Sequence, residues 1–167
     1  SLGLTLPAHA ALKPGAIAPT FETQAAIAGK AFPYSLGKAL KKGPVVLYFF
    51  PAAFTPGCTL EARAFAEATP EFAKLGASVL GAAGDDIAKL AKFSVEECRN
   101  QFPVGVATKA MIKGYDVTLP LAAGRTNRTT YVIAPNGQII FAFSNSDYRE
   151  HVTGAMGAVR SWKAGKK

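Results

Sequence analysis

Cysteine is nearly missing from this chain: Cys58 and Cys98 are the only two in 167 residues. No C-x-x-C pair occurs, which argues against a dithiol oxidoreductase. Histidine is equally scarce, with His9 and His151 alone. Two cysteines and two histidines so far apart do not have metal-ligand spacing, so no metal site is expected. Neither histidine sits in a pattern that marks the base of a cysteine protease. The phosphate-binding and dinucleotide-binding glycine motifs are absent. No stretch approaches the roughly 20 apolar residues of a membrane span. Acidic residues are few, 11 against 19 basic ones, giving a formal charge of +8 and a pI near 9.6. The basic residues are scattered, clustering only at Lys41–Lys42 and at Lys163, Lys166 and Lys167. Without an aromatic-interleaved basic run, a solvated basic surface is expected and no nucleic-acid partner. An anionic partner or membrane surface is the other reading of that charge.

Apolar residues, by contrast, are plentiful at 49%. A chain of this length and composition buries a sizeable core without disulfide staples, and residues 11–167 are expected to form one domain. The first ten residues, SLGLTLPAHA, resemble the end of an apolar signal region closing on an A-x-A-like site at Ala8-His9-Ala10. Residues 1–10 are accordingly expected to be the remnant of a secretory signal, with export to a bacterial periplasm. An ordinary N-terminal tail on a cytoplasmic protein is the alternative.

Along the chain, Lys13 to Phe21 is a proline-punctuated extended entry. The stretch FETQAAIAGKAFPYSL predicts a hairpin turning at Gly29-Lys30, and Leu36 to Gly43 a short polar connection. PVVLYFF (Pro44 to Phe50) is a seven-residue apolar run, the pattern of a strand buried on both faces. Leu60, Ala64, Phe65, Ala68, Phe72 and Leu75 then recur at helical spacing, with Pro70 starting a new turn and Gly76 closing the segment. ASVLGAAG is a second buried strand. Asp85 or Asp86 caps a helix with Ile87, Leu90, Ala91, Val95 and Cys98 on one stripe. VGVAT is a short strand, and Lys109 to Tyr115 a brief helix. TTYVIAPNGQIIFAFS is a hairpin turning at Asn136-Gly137. Ser146 or Asp147 caps a last helix that turns Val152, Met156, Val159 and Trp162 inward. The order predicts an α/β fold with a largely parallel sheet centre, an antiparallel final hairpin and helices on both faces.

Chemistry concentrates in FFPAAFTPGCTLEARAF (Phe49 to Phe65). Thr55 suits a helix N-cap and Pro56 the first helical position. Gly57 permits close approach of backbone and ligand. Cys58 falls in the first turn, where the helix dipole favours the thiolate, the reactive form. A buried structural cysteine near a helix start fits this local sequence equally well.

Pro51, Thr55 and Cys58 match P-x-x-x-T-x-x-C, and the segment resembles the active site of the peroxiredoxins. TPGCTLE is similar to the bacterioferritin-comigratory-protein, or peroxiredoxin Q, subgroup. RTTYVIAPNGQI resembles that family's arginine-bearing strand, which places Arg128 at the active-site arginine. The resemblance implies a thioredoxin-like fold with a central mixed sheet, helices on both faces and an N-terminal hairpin. It implies a thiol-dependent peroxidase acting on hydrogen peroxide and organic hydroperoxides, in which Cys58 attacks and becomes a sulfenic acid, with no metal or organic cofactor required. Pro51, Thr55, Gly57, Cys58 and Arg128 would then shape the peroxide site, with Arg128 stabilising the thiolate and the leaving oxygen. Glu61 would orient an arginine or form a solvated salt bridge. A thioredoxin-like protein or a small thiol is implied as reductant, and a monomer as the commonest state, with a dimer as the alternative.

One departure from the subgroup stands out. The resolving cysteine that many members carry five residues after the first is Arg63 here. Arg63 is expected to be a solvated helix residue, or else to add positive potential near the site. Cys98 is the only other thiol, and the resemblance implies an intramolecular Cys58–Cys98 disulfide. Against this, Cys98 lies on an apolar stripe, as a core cysteine would. A one-cysteine enzyme resolved by an external thiol, a peroxide relay to a partner protein and a binding module with a vestigial thiol are the alternatives.

Overall fold

The computed structural model describes residues 11–166. The cleavage-site reading at Ala8-His9-Ala10 and the terminal Lys167 lie outside them. Seven strands form one sheet: β1 (Glu22–Ile27), β2 (Lys30–Ser35), β3 (Val45–Phe49), β4 (Ser78–Ala83), β5 (Val104–Val106), β6 (Thr129–Ile133) and β7 (Ile139–Ser144), in the spatial order β2-β1-β5-β4-β3-β6-β7. The helices are α1 (Leu36–Leu40), α2 (Pro56–Lys74), α3 (Ile87–Glu96), α4 (Lys109–Gly114) and α5 (His151–Ala164). β3, β4 and β5 run parallel, as expected for strands joined by crossover helices. β6 enters antiparallel to β3, so the sheet is mixed from its centre outward.

The apolar run at Pro44–Phe50 becomes β3, in which every residue is buried. Its alternation divides the core. Val46, Tyr48 and Phe50 face one apolar layer with residues of α2, α3 and α5. Val45, Leu47 and Phe49 face the other, with residues of α1 and α4. Cys58 and Cys98 both belong to the first layer, together with Tyr48, Phe65 and Phe93.

Several local expectations change. Leu36 to Gly43 is no mere connection: Ser35 caps α1 by accepting from the Lys38 amide, and Leu36 and Leu40 are buried. The first hairpin turns at Ala28-Gly29, both in the left-handed region (φ 52° and 79°), and not at Gly29-Lys30. α2 runs unbroken through Pro70, whose ring is exposed while Phe65, Ala66 and Phe72 continue the buried face on either side. Of the two candidate caps on α3 it is Asp86 that accepts from the helix, at the Lys89 amide. Asp85 instead receives the Ala53 amide at 3.1 Å. α3 stops at Glu96, so Cys98 lies beyond the helix and not on it, while Val95 of the anticipated stripe is exposed. Ser146 and Asp147 do not cap α5. Asp147 is committed to a turn, accepting from the Arg149 amide, and the helix starts at His151.

Candidate active site

The strand β3 delivers the chain to a tightly pinned loop. The Phe50 amide donates to the Ala82 carbonyl at 3.0 Å, and the Thr126 hydroxyl donates to the Phe50 carbonyl at 2.9 Å. With Ala53 held by Asp85, little freedom is left before α2 begins. Phe54 adopts a left-handed backbone (φ 64°), which a bulky residue rarely does without a constraining surround. Thr55 is the N-cap residue by backbone, but its hydroxyl makes no capping bond. That hydroxyl donates to the Ala52 carbonyl at 2.8 Å instead. Its proton is thereby committed, and its lone pairs are available to accept from a ligand O–H.

Pro56 opens α2 where a missing N–H costs nothing. Cys58 follows in the first turn with its side chain buried and its thiol free. Arg128, immediately before β6, reaches it: Nη2 donates to Cys58 Sγ at 3.4 Å. The other two donors of the fork are also used, Nη1 to Glu61 Oε1 at 2.7 Å and Nε to the Ser146 carbonyl at 2.9 Å. A planar guanidinium bound at three points is held in orientation as a lysine ammonium is not. A Cβ built on Gly57 would stand 3.1 Å from Arg128 Nη2, so a side chain there would press on the guanidinium.

Glu61 is wholly buried, which removes the solvated salt bridge as a reading and leaves the arginine-orienting one. Burial pushes its carboxyl up to about 7 from about 4.5, with Arg128 opposing. Between those values the folded chain keeps a proton that the unfolded chain has shed. This group's contribution is therefore fully present below about 4.5 and is lost as pH rises through about 7. We expect Glu61→Gln to gain stability relative to the unsubstituted chain between pH ~5 and ~7.5, by on the order of 3 kcal/mol. Urea unfolding of both proteins at the two pH values checks this; a difference that stays constant contradicts it.

A cleft of about 270 Å³ opens beside Arg128, lined by Pro51, Leu119, Asn127, Arg128, Ser144, Asn145 and Ser146. The structure thus gathers Cys58, Arg128, Gly57 and Glu61 into contact, with Pro51 on the cleft wall and Thr55 at the helix start. Cys98 stands apart from Arg128's bonds. It is free and buried, and burial pushes its thiol well above the ordinary cysteine range. Arg63 is half exposed and pairs with Glu97 at 2.9 Å, tying α2 to the residue next to Cys98. His151, unassigned by the sequence, also enters the site: its Nδ1 is 2.8 Å from the Thr130 hydroxyl and 3.9 Å from Glu61 Oε2. Among the described residues, no group of three or more histidine, cysteine or acidic side chains is placed to hold a metal ion. No helix there is long and apolar enough to cross a membrane.

The chain is similar to several known proteins. A protein of Mycobacterium tuberculosis named as a peroxiredoxin is 35% identical over 137 residues, covering 80% of this chain and 88% of its own. The chloroplast peroxiredoxin Q of Oryza sativa subsp. japonica is 36% identical over 111 residues, covering 66% of this chain and 51% of its own. The crystal structure of peroxidoxin BcpB from Mycobacterium tuberculosis superposes with a TM-score of 0.81 at 32% identity, covering 90% of this chain and 97% of that one. Peroxiredoxin Q of Xanthomonas campestris does so with a TM-score of 0.72 at 25% identity, over 84% and 90%. The mixed sheet is thus the thioredoxin-like one of these proteins. The AhpC/TSA family matches residues 14–142, and this chain belongs to it, among the thiol-dependent peroxidases known as peroxiredoxins.

Proposed function

We propose that the chain reduces hydrogen peroxide and organic hydroperoxides through Cys58. The observation that carries the reading is the Arg128 guanidinium, fixed by Glu61 and the Ser146 carbonyl and pointed at the Cys58 sulfur. The thiolate attacks the terminal peroxide oxygen, the O–O bond breaks, and the departing oxygen takes a proton to leave as water or an alcohol. Sulfur keeps the attacked terminal oxygen, with its hydrogen, as a sulfenic acid. Arg128 balances the charge first on sulfur and then on the leaving oxygen. Thr55, its own proton engaged with Ala52, accepts the hydroperoxide O–H, and Pro51 keeps water from the sulfur.

We further propose that Cys98 resolves the sulfenic acid as an intramolecular disulfide, which a thioredoxin-like protein or a small thiol then reduces. Three features support it. Both sulfurs enter the same apolar layer. Cys98 lies beyond the end of α3, tied to it by its amide donating to the Phe93 carbonyl at 3.1 Å, so its release frees the helix end and not the helix body. The two residues after it, Arg99 and Asn100, are both left-handed (φ 51° and 60°), a conformation that favours rearrangement of the segment. Cys58 lies in the first turn of α2, the end of that helix that would have to open. Non-reducing peptide mapping after one equivalent of peroxide is expected to yield a linked Cys58–Cys98 peptide pair. A stable sulfenic acid or an external-thiol adduct at Cys58 would instead establish the one-cysteine route. Long-lived mixed disulfides with one protein partner would establish the relay.

A further inference from the structure

Glu61 uses only one of its oxygens. Oε1 accepts from Arg128, while Oε2 is buried and has no hydrogen-bond partner. The side chain facing it is His151, itself inaccessible to solvent, with Nδ1 at 3.9 Å. The imidazole is fixed on several sides. Nε2 lies 2.8 Å from the Asn145 carbonyl, which only accepts, so Nε2 carries a hydrogen. In the neutral ring Nδ1 is then a lone pair, and it receives the Thr130 hydroxyl. Phe143 packs edge-on at a centroid distance of 4.7 Å.

We propose that His151 is a positioning residue for the peroxide step, which holds one proton jointly with Glu61 behind Arg128 and so sets how much guanidinium charge remains for Cys58. The proposal rests on Cys58 being the attacking thiolate. While the proton is absent, the Glu61 carboxylate at 2.7 Å offsets the Arg128 charge. A proton on the Glu61 carboxyl, or on Nδ1, cancels the negative charge of the pair. The Arg128 charge is then left to the sulfur 3.4 Å away. Burial pushes the carboxyl up and the imidazole down, the Asn145 carbonyl opposing the latter, so Glu61 is the better home for that proton. The groups around His151 are few. Glu61 faces it from α2, Arg128 and Thr130 from the start of β6, and uncharged Phe143 from β7. Asn145 and Asp147 face it from the turn before α5, with Asp147 engaged by Arg149. No surface charge is needed for the coupling.

The test measures the rate of sulfenic acid formation against pH in the full chain. In His151→Leu, the pH at which that rate reaches half its plateau is expected to move by about one unit, a roughly tenfold change on the acid limb. Reduction of the oxidised protein by thiol is expected to be unaffected. His151→Asn, which keeps a polar group for Thr130, is expected to recover part of the shift. A folded His151→Leu protein with an unchanged profile overturns the proposal. Should that variant not fold, histidine NMR titration of the unsubstituted chain against Cys58→Ser gives the same information. Linkage is reciprocal, so the His151 ring is expected to titrate at higher pH when the thiolate is present. Identical titrations overturn the proposal. Failure of the Cys58 reading is distinguishable, because peroxide would then leave no oxygen on Cys58.

Discussion

Replacing Cys58 with serine is expected to abolish peroxide turnover and to leave the fold intact. The sulfur is buried in the first turn of α2, and oxygen in its place keeps nearly the same shape. A serine hydroxyl beside Arg128 remains neutral at any physiological pH, so no anion is present to attack the peroxide. The loss is therefore complete, not partial. Steady-state peroxide consumption with a general thiol reductant, alongside a thermal melt, measures both halves of the expectation. Turnover retained by a folded Cys58→Ser protein would remove Cys58 from the chemistry.

The second large effect is expected at Arg128. This side chain makes three directed bonds, and two of its partners, Cys58 and Glu61, are buried. Arg128→Ala removes the cation that balances both the thiolate and the leaving oxygen. Loss of a single preorganised donor of this kind slows the chemical step by about 10²–10³-fold. The fall is expected in sulfenic acid formation and not in the later reduction by thiol. Arg128→Lys keeps the charge but cannot reproduce the planar fork, and is expected to recover only part of the rate. Both variants are read in single-turnover mixing with peroxide. A rate of sulfenic acid formation equal to that of the unsubstituted chain would contradict the assigned role. Stability is expected to fall less than for an orphaned ion pair, because Glu61 can take up a proton when its cation is removed.

How much of this is legible in the sequence depends on the kind of signal. The strand at Pro44–Phe50 and the helix start after Thr55 could be read because an apolar run and a Thr-Pro pair have direct physical meanings. Only the family resemblance marks Arg128, since nothing local identifies an arginine before a strand as one that reaches 70 residues back to a thiol. Glu61 stayed ambiguous because a glutamate in a helix is usually solvated; only the packing of α2 against the sheet buries it. The sequence does not mark His151, because a cap at Ser146 or Asp147 would put the helix start upstream, whereas His151 is the first helical residue and is buried. LGKAL is short and carries a lysine, so the sequence does not mark α1, although its two leucines are the residues that face inward. The α3 stripe continues in sequence to Cys98, but the helix ends at Glu96 and Arg99 and Asn100 turn the chain.

The most direct measurement is brief exposure of Cys98→Ser protein to one equivalent of peroxide, with a sulfenic-acid-selective trap, followed by peptide mass mapping. Removing Cys98 prevents any intramolecular disulfide from hiding the first product. The predicted result is stoichiometric trapping at Cys58, reached far more slowly when Arg128→Ala is added. Peroxide consumed at the normal rate with Cys58 recovered as an unmodified thiol would contradict the account.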